Sequence, residues 1–597
     1  MYSPPLKDIR FILDEVAAIG GLKAQGAYAD LSDDLIESVL SEAGKIAAEV
    51  LAPLNSAGDQ NPAKLMEGVV QTSPGFKDAY RAFSGGGWLG LSADPDFGGA
   101  GLPHTLACAV YEMFNSGNAS LTLGPILALG AIDAIAHHAP QELKRLYLPK
   151  IVSGQWLATM NLTEPQAGSD LSNLKTRAAP QADGSYRLFG SKIFISWGDH
   201  DLTDNIIHLV LARTPNAPEG SRGISLFLAP KVLVHSDGSL GARNDVRCTR
   251  LEEKMGLHGS PTCAMIYGET DGAVGYLLGA ENKGLAAMFT MMNAERLFVG
   301  LQGVGVAESA YQAALAYARD RRQGRVDGES GSARLIDHAD VRRMLFTMKA
   351  KIEGARAICY MTAMAADESA VEEAPEDRAF AKRREEFLTP IAKAWSTDMG
   401  VEVASLGLQV HGGMGYVEET GVAQYCRDAR VFTIYEGTNG IQAIDLVSRK
   451  LALANGAALR EIILDIRQSV EDCATSSSLE LKVIGERLGE GVAAMEAAAH
   501  WLLERAEIDR RAALAGATPF LSLAGDVCAG WGLTIAAVAA VRRLKEGDAD
   551  QDFLRGKIAL AQYFADTVLV MADGKARDVQ LGADALFGFS DEALSSV

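Results

Sequence analysis

What most constrains the fold of this chain is a change of texture near Trp156. Ahead of that point, segments such as residues 33–54 (DDLIESVLSEAGKIAAEVLAPL) repeat apolar residues at helical spacing, with Pro53 near the segment's end. After it come GSYRLFGSKIFIS, NIIHLVLAR, GISLFLAPK and CAMIYGE, short β-branched or aromatic runs bounded by Gly, Asp, Asn and Pro, which read as strands. No long helical pattern interrupts them. Helical periodicity resumes at about Lys283, runs to about Gly456, and a further helical stretch fills the rest. The expected fold class is therefore mostly α with an inserted β domain. The expected domains are residues 1–155 helical, 156–280 β, 281–456 a helical bundle and 457–597 an extra helical domain.

A chain of 597 residues is too long for one core and fits roughly three or four domains. Its 48% hydrophobic and 22% charged residues are those of an ordinary globular protein. The start, MYSPPLKDIRF, lacks the pattern of a secretory signal. The longest apolar stretches, 121–136 and 527–541, fall short of a membrane span, and the first contains Asp133, so both read as buried helices. Seven cysteines, odd in number, without CxxC and without histidines at ligand spacing, argue against a disulfide framework or a metal site and fit a reducing cytoplasm. A net charge of -20 argues against nucleic acid and anionic membranes as partners. It leaves room for a small anionic ligand held by local arginines.

Several short stretches carry possible chemistry. In MNLTEPQAGSDLSNL, Thr163 and Ser169 flank Pro165 and Gly168, and their hydroxyls and nearby amides suit a pyrophosphate or a polar ring edge. An ordinary turn closing a strand has the same composition. In KIFISWGDH, Phe194 and Ser196 fall on one face of a regular strand, where they would pack on a planar cofactor or serve as core. MMNAERLFVG places Glu295 and Arg296 on an apolar helix, and ARDRRQGR follows with Arg319, Arg321, Arg322 and Arg325, either a solvated face or a phosphate site. LQVHGGMGY pairs Gly412 and Gly413 near Gln409, allowing close backbone approach, but it is not GxGxxG and has no βαβ context. IYEGTNGIQ puts Glu436 just ahead of a helix with Ile441, Ile444, Val447 and Leu451 at helical steps.

Taken in order, TEPQAGSD, FISWG, NAERL, LQVHGGMGY and RDARVFTIYEGTNGIQ give residues 35–455 a close resemblance to the acyl-CoA dehydrogenase family. The appended helical region resembles its extended members, among them the 3-methylmercaptopropionyl-CoA dehydrogenases. The resemblance implies a helical domain, a β domain and a helical bundle holding FAD across a subunit boundary, hence at least a homodimer. It implies a fatty acyl-CoA or 3-methylmercaptopropionyl-CoA substrate and an electron-transfer flavoprotein as acceptor, with no nucleic acid and no membrane. Leu162, Thr163, Ser169, Phe194, Ser196, Arg321, Gln409, Gly412, Gly413 and Thr438 would then contact FAD, and Ser169, Arg296 and Gly437 the substrate. Phe194 stands in place of a more usual tryptophan, Ser196 in place of a threonine, and Gln166 where glycine is frequent. The arginine segment also departs from the family, reading Arg321-Arg322-Gln323-Gly324 where a phenylalanine and a glycine often follow.

The family places its catalytic base either in the Tyr-Glu-Gly-Thr position or on the earlier helix just before the arginine. This chain has glutamates at both, Glu436 and Glu295, and members using the earlier one typically lack the later; its retention favours Glu436. That carboxylate would remove the proton α to a thioester while the β hydrogen leaves as hydride to flavin N5, giving a trans-2-enoyl-CoA. A carboxyl of ordinary pKa is a weak base for this, and a helix start capped by Thr438 or Asn439 would weaken it further. Desolvation beneath the acyl chain must oppose that. Two alternatives share the motifs: an acyl-CoA oxidase, and a flavin-containing DNA-binding protein of the alkylation-response type, which would carry a basic C-terminal region absent here.

Overall fold

The computed structural model describes residues 2–24, 26–326 and 331–595. The chain is mostly α-helical with a central β-sheet. It divides into two compact units. The first gathers residues 38–103 and 110–298 with the extreme N-terminus; the second gathers 5–37, 104–109 and 299–597.

A long helix, α1 (His104–His138), contributes its residues from Val110 onward to the first unit. It breaks at Asn118, whose φ of -160° is not helical and whose side-chain oxygen accepts the Leu121 N–H at 3.0 Å. Around it Phe83, Trp88, Tyr111, Phe114 and Phe298 meet edge to face, with centroids 5.3–6.3 Å apart.

The sheet has eight strands: β1 (Leu157–Asn161), β2 (Arg177–Pro180), β3 (Tyr186–Ser196), β4 (Ile206–Ala212), β5 (Ser225–Pro230), β6 (Val246–Leu251), β7 (Thr262–Tyr267) and β8 (Ala273–Leu278). Their order is β6-β7-β3-β8-β5-β4-β1, with β2 paired to β3; all neighbours are antiparallel except β1 and β4. Leu188, Ile195, Val210, Phe227 and Met265 form its core. The unit's last element is the start of α2 (Gly284–Asp320).

In the second unit α3 (Ala339–Val371), α4 (Pro375–His411), α5 (Val422–Phe432) and a short α6 (Asn439–Asp445) are followed by the appended helices, including α7 (Ala517–Lys545) and α8 (Gln551–Thr567). Small residues let α7 lie close on its neighbours. A Cβ on Gly532 would sit 2.5 Å from that of Ala357, and one on Gly525 only 2.1 Å from the Trp395 ring. Trp395 Nε1 also donates to Asp526 at 3.0 Å. Lys557 on α8 bonds Asp8 of the N-terminal helix Leu6–Glu15 at 2.6 Å and Glu353 of α3 at 2.7 Å, so the extra helices are tied in by buried charge as well as by packing. Burial works to raise the Asp8 carboxyl, but Lys349, Lys557 and Arg356 outweigh it and hold it well below the usual range.

Two sequence expectations change in detail. Helices α1 and α7 extend beyond the apolar stretches 121–136 and 527–541 and are long and apolar enough to cross a membrane, yet most of each is buried inside the protein. After α6 the backbone passes into a π-turn, Leu446–Lys450, which shifts the helical stripe. Val447 and Leu451 are buried as the spacing predicts, but Ile444 is exposed.

Candidate active site

The site residues fall in both units, and each group has its own local logic. In the first unit the chain leaves β1 through Leu162 and Thr163 and turns at Glu164. Glu164 is almost wholly buried and five donors converge on its carboxylate. Oε1 accepts from Lys192 Nζ at 2.9 Å, Thr176 Oγ1 at 2.5 Å and Thr176 N–H at 3.0 Å; Oε2 accepts from Gln166 Nε2 at 2.6 Å and Lys175 N–H at 2.7 Å. Burial pushes this carboxyl up, but Lys192 and the hydrogen bonds win and pull it down to about 2. Lys192 Nζ also donates to the Leu162 carbonyl at 3.0 Å, and the Ile193 N–H to that of Thr163 at 2.9 Å. Gln166, unusual for the family, is thus accommodated as one of the donors that close this turn.

The pinned turn presents three hydroxyls. Those of Thr163, Ser169 and Ser196 have no hydrogen-bond partner among the described residues, and none of the three residues is buried. Phe194, two residues before Ser196 on β3, has 60% of its surface exposed and a left-handed backbone, φ +58°. Regular alternation does not hold here. The β3–β7 register slips between Cys263 and Met265, so that Lys192 and Ile195, three residues apart, both face inward. The bulge, which sequence spacing did not reveal, is what turns the Phe194 ring outward.

Glu295 and Arg296 lie on α2. Glu295 has 0% exposure; a Cβ on Gly130 would come within 2.7 Å of its Oε1. Arg296, expected beside CoA, is also largely buried, with Nη1 donating to Asn293 at 3.2 Å and its guanidinium 5.8 Å from the Phe289 ring centre.

In the second unit, Glu436 sits between α5 and α6 in a left-handed conformation, φ +57°, followed by Gly437 at φ +84°. For a residue with a Cβ this conformation costs about 1–2 kcal/mol, so its surroundings must hold it. They do so through its own carbonyl and through the residues on both sides. Tyr435 donates its hydroxyl to the buried Gln302. Buried Gln442 donates to the Glu436 carbonyl at 3.2 Å, and buried Lys393 to the Gly437 carbonyl at 3.0 Å. Thr438 caps α6, accepting the Ile441 N–H at 3.2 Å. Asn439 does not cap; its side chain bonds Lys393, Ala394, Thr397 and Asp398 on α4. Glu436 itself is half-buried, with Oε2 shielded from solvent.

Also in this unit, α4 ends at Gly412, whose φ of +60° a side chain would disfavour. Gln409, Gly412 and Gly413 are exposed, and Tyr416 beyond them is 84% exposed. Within the chain, close backbone approach falls at Gly415, where a Cβ would meet the Leu408 carbonyl at 2.4 Å; Gly412 and Gly413 have open space around them. Arg321, Arg322 and Arg325 are exposed, and residues 327–330 lie outside the described set.

Sequence reasoning missed Glu164, Lys192, Lys393, Gln302 and Gln442. Two of them carried a signal: a lysine within an apolar strand and another within an apolar stretch of helix are rarely buried without a polar partner.

Four family profiles match the chain in succession. They are the acyl-CoA dehydrogenase N-terminal domain at residues 38–155, the middle domain at 159–269, the C-terminal domain at 282–451, and an acetyl-CoA dehydrogenase C-terminal-like domain at 462–590. A 3-methylmercaptopropionyl-CoA dehydrogenase from Ruegeria pomeroyi is 46% identical, covering 95% of this chain and 96% of its own. A butyryl-CoA dehydrogenase from Syntrophomonas wolfei is 33% identical, covering 99% of both. Among solved structures, an acyl-CoA dehydrogenase from Bacillus anthracis complexed with FAD shares the fold, with a TM-score of 0.75, 19% identity, and coverage of 95% of this chain and 91% of its own.

Proposed function

The chain belongs to the acyl-CoA dehydrogenase family, FAD-dependent oxidoreductases acting on CH–CH bonds, and on that premise we propose that Glu436 is its catalytic base. The observation that carries this reading is the Glu436 loop: a half-buried carboxylate on a left-handed residue, with the main chain fixed around it. Glu295, the other candidate, is wholly buried on α2, whereas Glu436 keeps part of its surface open to an entering ligand.

The first unit's residues fit a flavin. An outward-turned aromatic ring, Phe194, stands with the Thr163, Ser169 and Ser196 hydroxyls, offering a planar face and polar edges. Leu162 belongs to the same pinned turn; Arg321, Gln409, Gly412, Gly413 and Thr438 are further proposed FAD contacts. When bound, FAD supplies the acceptor for the electron pair leaving with the β hydrogen. The protein's part is to remove the α proton through Glu436 and to exclude water so that the carboxylate becomes a stronger base. Arg296, Gly437 and Ser169 are the proposed CoA-ester contacts, the first by a guanidinium that is buried in this structure.

For the acyl group, the Ruegeria relative supports 3-methylmercaptopropionyl-CoA and the Syntrophomonas relative supports a short linear chain. An electron-transfer flavoprotein as acceptor, a homodimer and a cytoplasmic location complete the reading; the seven free cysteines support the last. The four-part division at residues 155, 280 and 456 is supported by the passage from helix to strand at Leu157 and back at Gly284.

Anaerobic titration of the purified yellow protein with 3-methylmercaptopropionyl-, butyryl-, octanoyl- and palmitoyl-CoA tests this directly. Bleaching of the flavin band by at least one, with slow return in air, is expected. A protein that takes up no flavin, or that none of the thioesters bleaches, would contradict it.

A further inference from the structure

Lys393 is a fully buried lysine on α4. A buried ammonium is costly unless hydrogen bonds surround it. Two of those bonds go to the segment that carries Glu436: Nζ donates to the Gly437 carbonyl at 3.0 Å and to Asn439 Oδ1 at 2.8 Å. Asn439 is in turn fixed by Ala394, Thr397 and Asp398, the first two buried on the same helix, so Lys393 meets an acceptor that cannot swing away. From the other side, Gln442 Nε2 reaches the Glu436 carbonyl at 3.2 Å and that of Gly437 at 3.4 Å.

Two successive carbonyls are therefore held by two buried donors, at the place where Glu436 and Gly437 both take positive φ. Without those donors Glu436 would relax toward an ordinary backbone region, and its carboxylate would move with it. A proton transfer in which a displacement of about 1 Å can cost on the order of 100-fold in rate is sensitive to such a shift. We infer that Lys393, assisted by Gln442, is a positioning residue for the base, setting the direction of the Glu436 side chain by gripping the loop's carbonyls rather than by touching substrate. This rests on Glu436 being the base.

The test uses the flavin-loaded protein and anaerobic stopped-flow bleaching by the acyl-CoA that bleaches wild type best, in ordinary and α-dideuterated forms. Lys393→Met should slow bleaching per bound flavin by about 100-fold. The substrate concentration for half-maximal rate should stay within about threefold, and the α-deuterium isotope effect should rise, because proton removal becomes more fully rate-limiting. Lys393→Arg, which keeps charge and donors, should recover part of the rate. A residue that merely supports the fold would lower the melting temperature or flavin content and leave the isotope effect where it was. Should Lys393→Met fail to fold, Gln442→Leu is expected to slow bleaching about tenfold with the same rise in isotope effect. Variants that bleach within twofold of wild type, or that slow with an unchanged isotope effect, would overturn the inference. A wild-type protein that no thioester bleaches would instead overturn the assignment of function.

Discussion

Glu164 and Glu436 are held in opposite ways. Glu164 is fixed by its carboxylate: Lys192, Thr176, Lys175 and Gln166 all donate to it, and the charge so stabilised cannot serve as a base near neutral pH. Glu436 is fixed by its main chain: Gln442 and Lys393 grip carbonyls at 436 and 437, and Tyr435 and Thr438 anchor the residues on either side. At Glu164 the carboxylate is itself the anchor; at Glu436 the main chain is anchored, which fixes where the side chain starts. The difference separates a structural acid from a reactive one better than burial alone does, because a residue whose charge completes a buried network is too stabilised to accept a proton.

Three experiments would break or sharpen that contrast. The largest stability effect should come from Glu164→Gln, which strands the Lys192 ammonium in the sheet. A loss of about 3–5 kcal/mol in denaturant unfolding is expected, with weakened flavin retention. Glu436→Gln should cost less than about 1 kcal/mol by the same measurement, since the grip on its carbonyl survives. If the two losses were similar, the contrast would fail.

Acid titration of stability gives an intermediate effect. In the folded protein the Glu164 carboxyl lies at about 2, below the value near 4.3 of an unfolded chain. Between those values the unfolded state binds more protons, so the contribution is complete above about pH 5 and is lost as pH falls toward 2. A Glu164→Gln protein should have a flatter stability profile in that window than wild type; equal slopes would count against the ion pair. The smallest effect should be that of Thr438→Ala, removing the cap on the Ile441 N–H for about 1 kcal/mol. Flavin bleaching at saturating substrate should be slowed far less than by Lys393→Met.

Much of this was legible in the sequence. The strand-rich block set between helical ones gave the fold class, since periodicity reports which faces are buried; the two most apolar helices are buried as expected, although the helices themselves are longer than the apolar runs on which that reading rested. The motif order pointed to the family, and of the two caps the sequence offered, Thr438 and Asn439, the structure uses Thr438. What stayed hidden depends on non-local pairing. The bulge at Phe194 comes from a register slip against β7, invisible within KIFIS. Ile444 is exposed although helical spacing puts it on the apolar stripe, and the π-turn that follows at Leu446–Lys450 is a feature no spacing rule anticipates. Lys393 lies 43 positions ahead of Glu436 in sequence, and only the packing of α4 under the loop brings its ammonium to the Gly437 carbonyl.

The most direct measurement compares Glu436→Gln and Glu295→Gln, both loaded with flavin, in the anaerobic bleaching assay. Loss of bleaching by about 1,000-fold or more in the first, with the second keeping most of its rate, is the predicted result. A dead Glu295→Gln beside an active Glu436→Gln would contradict the account at its centre.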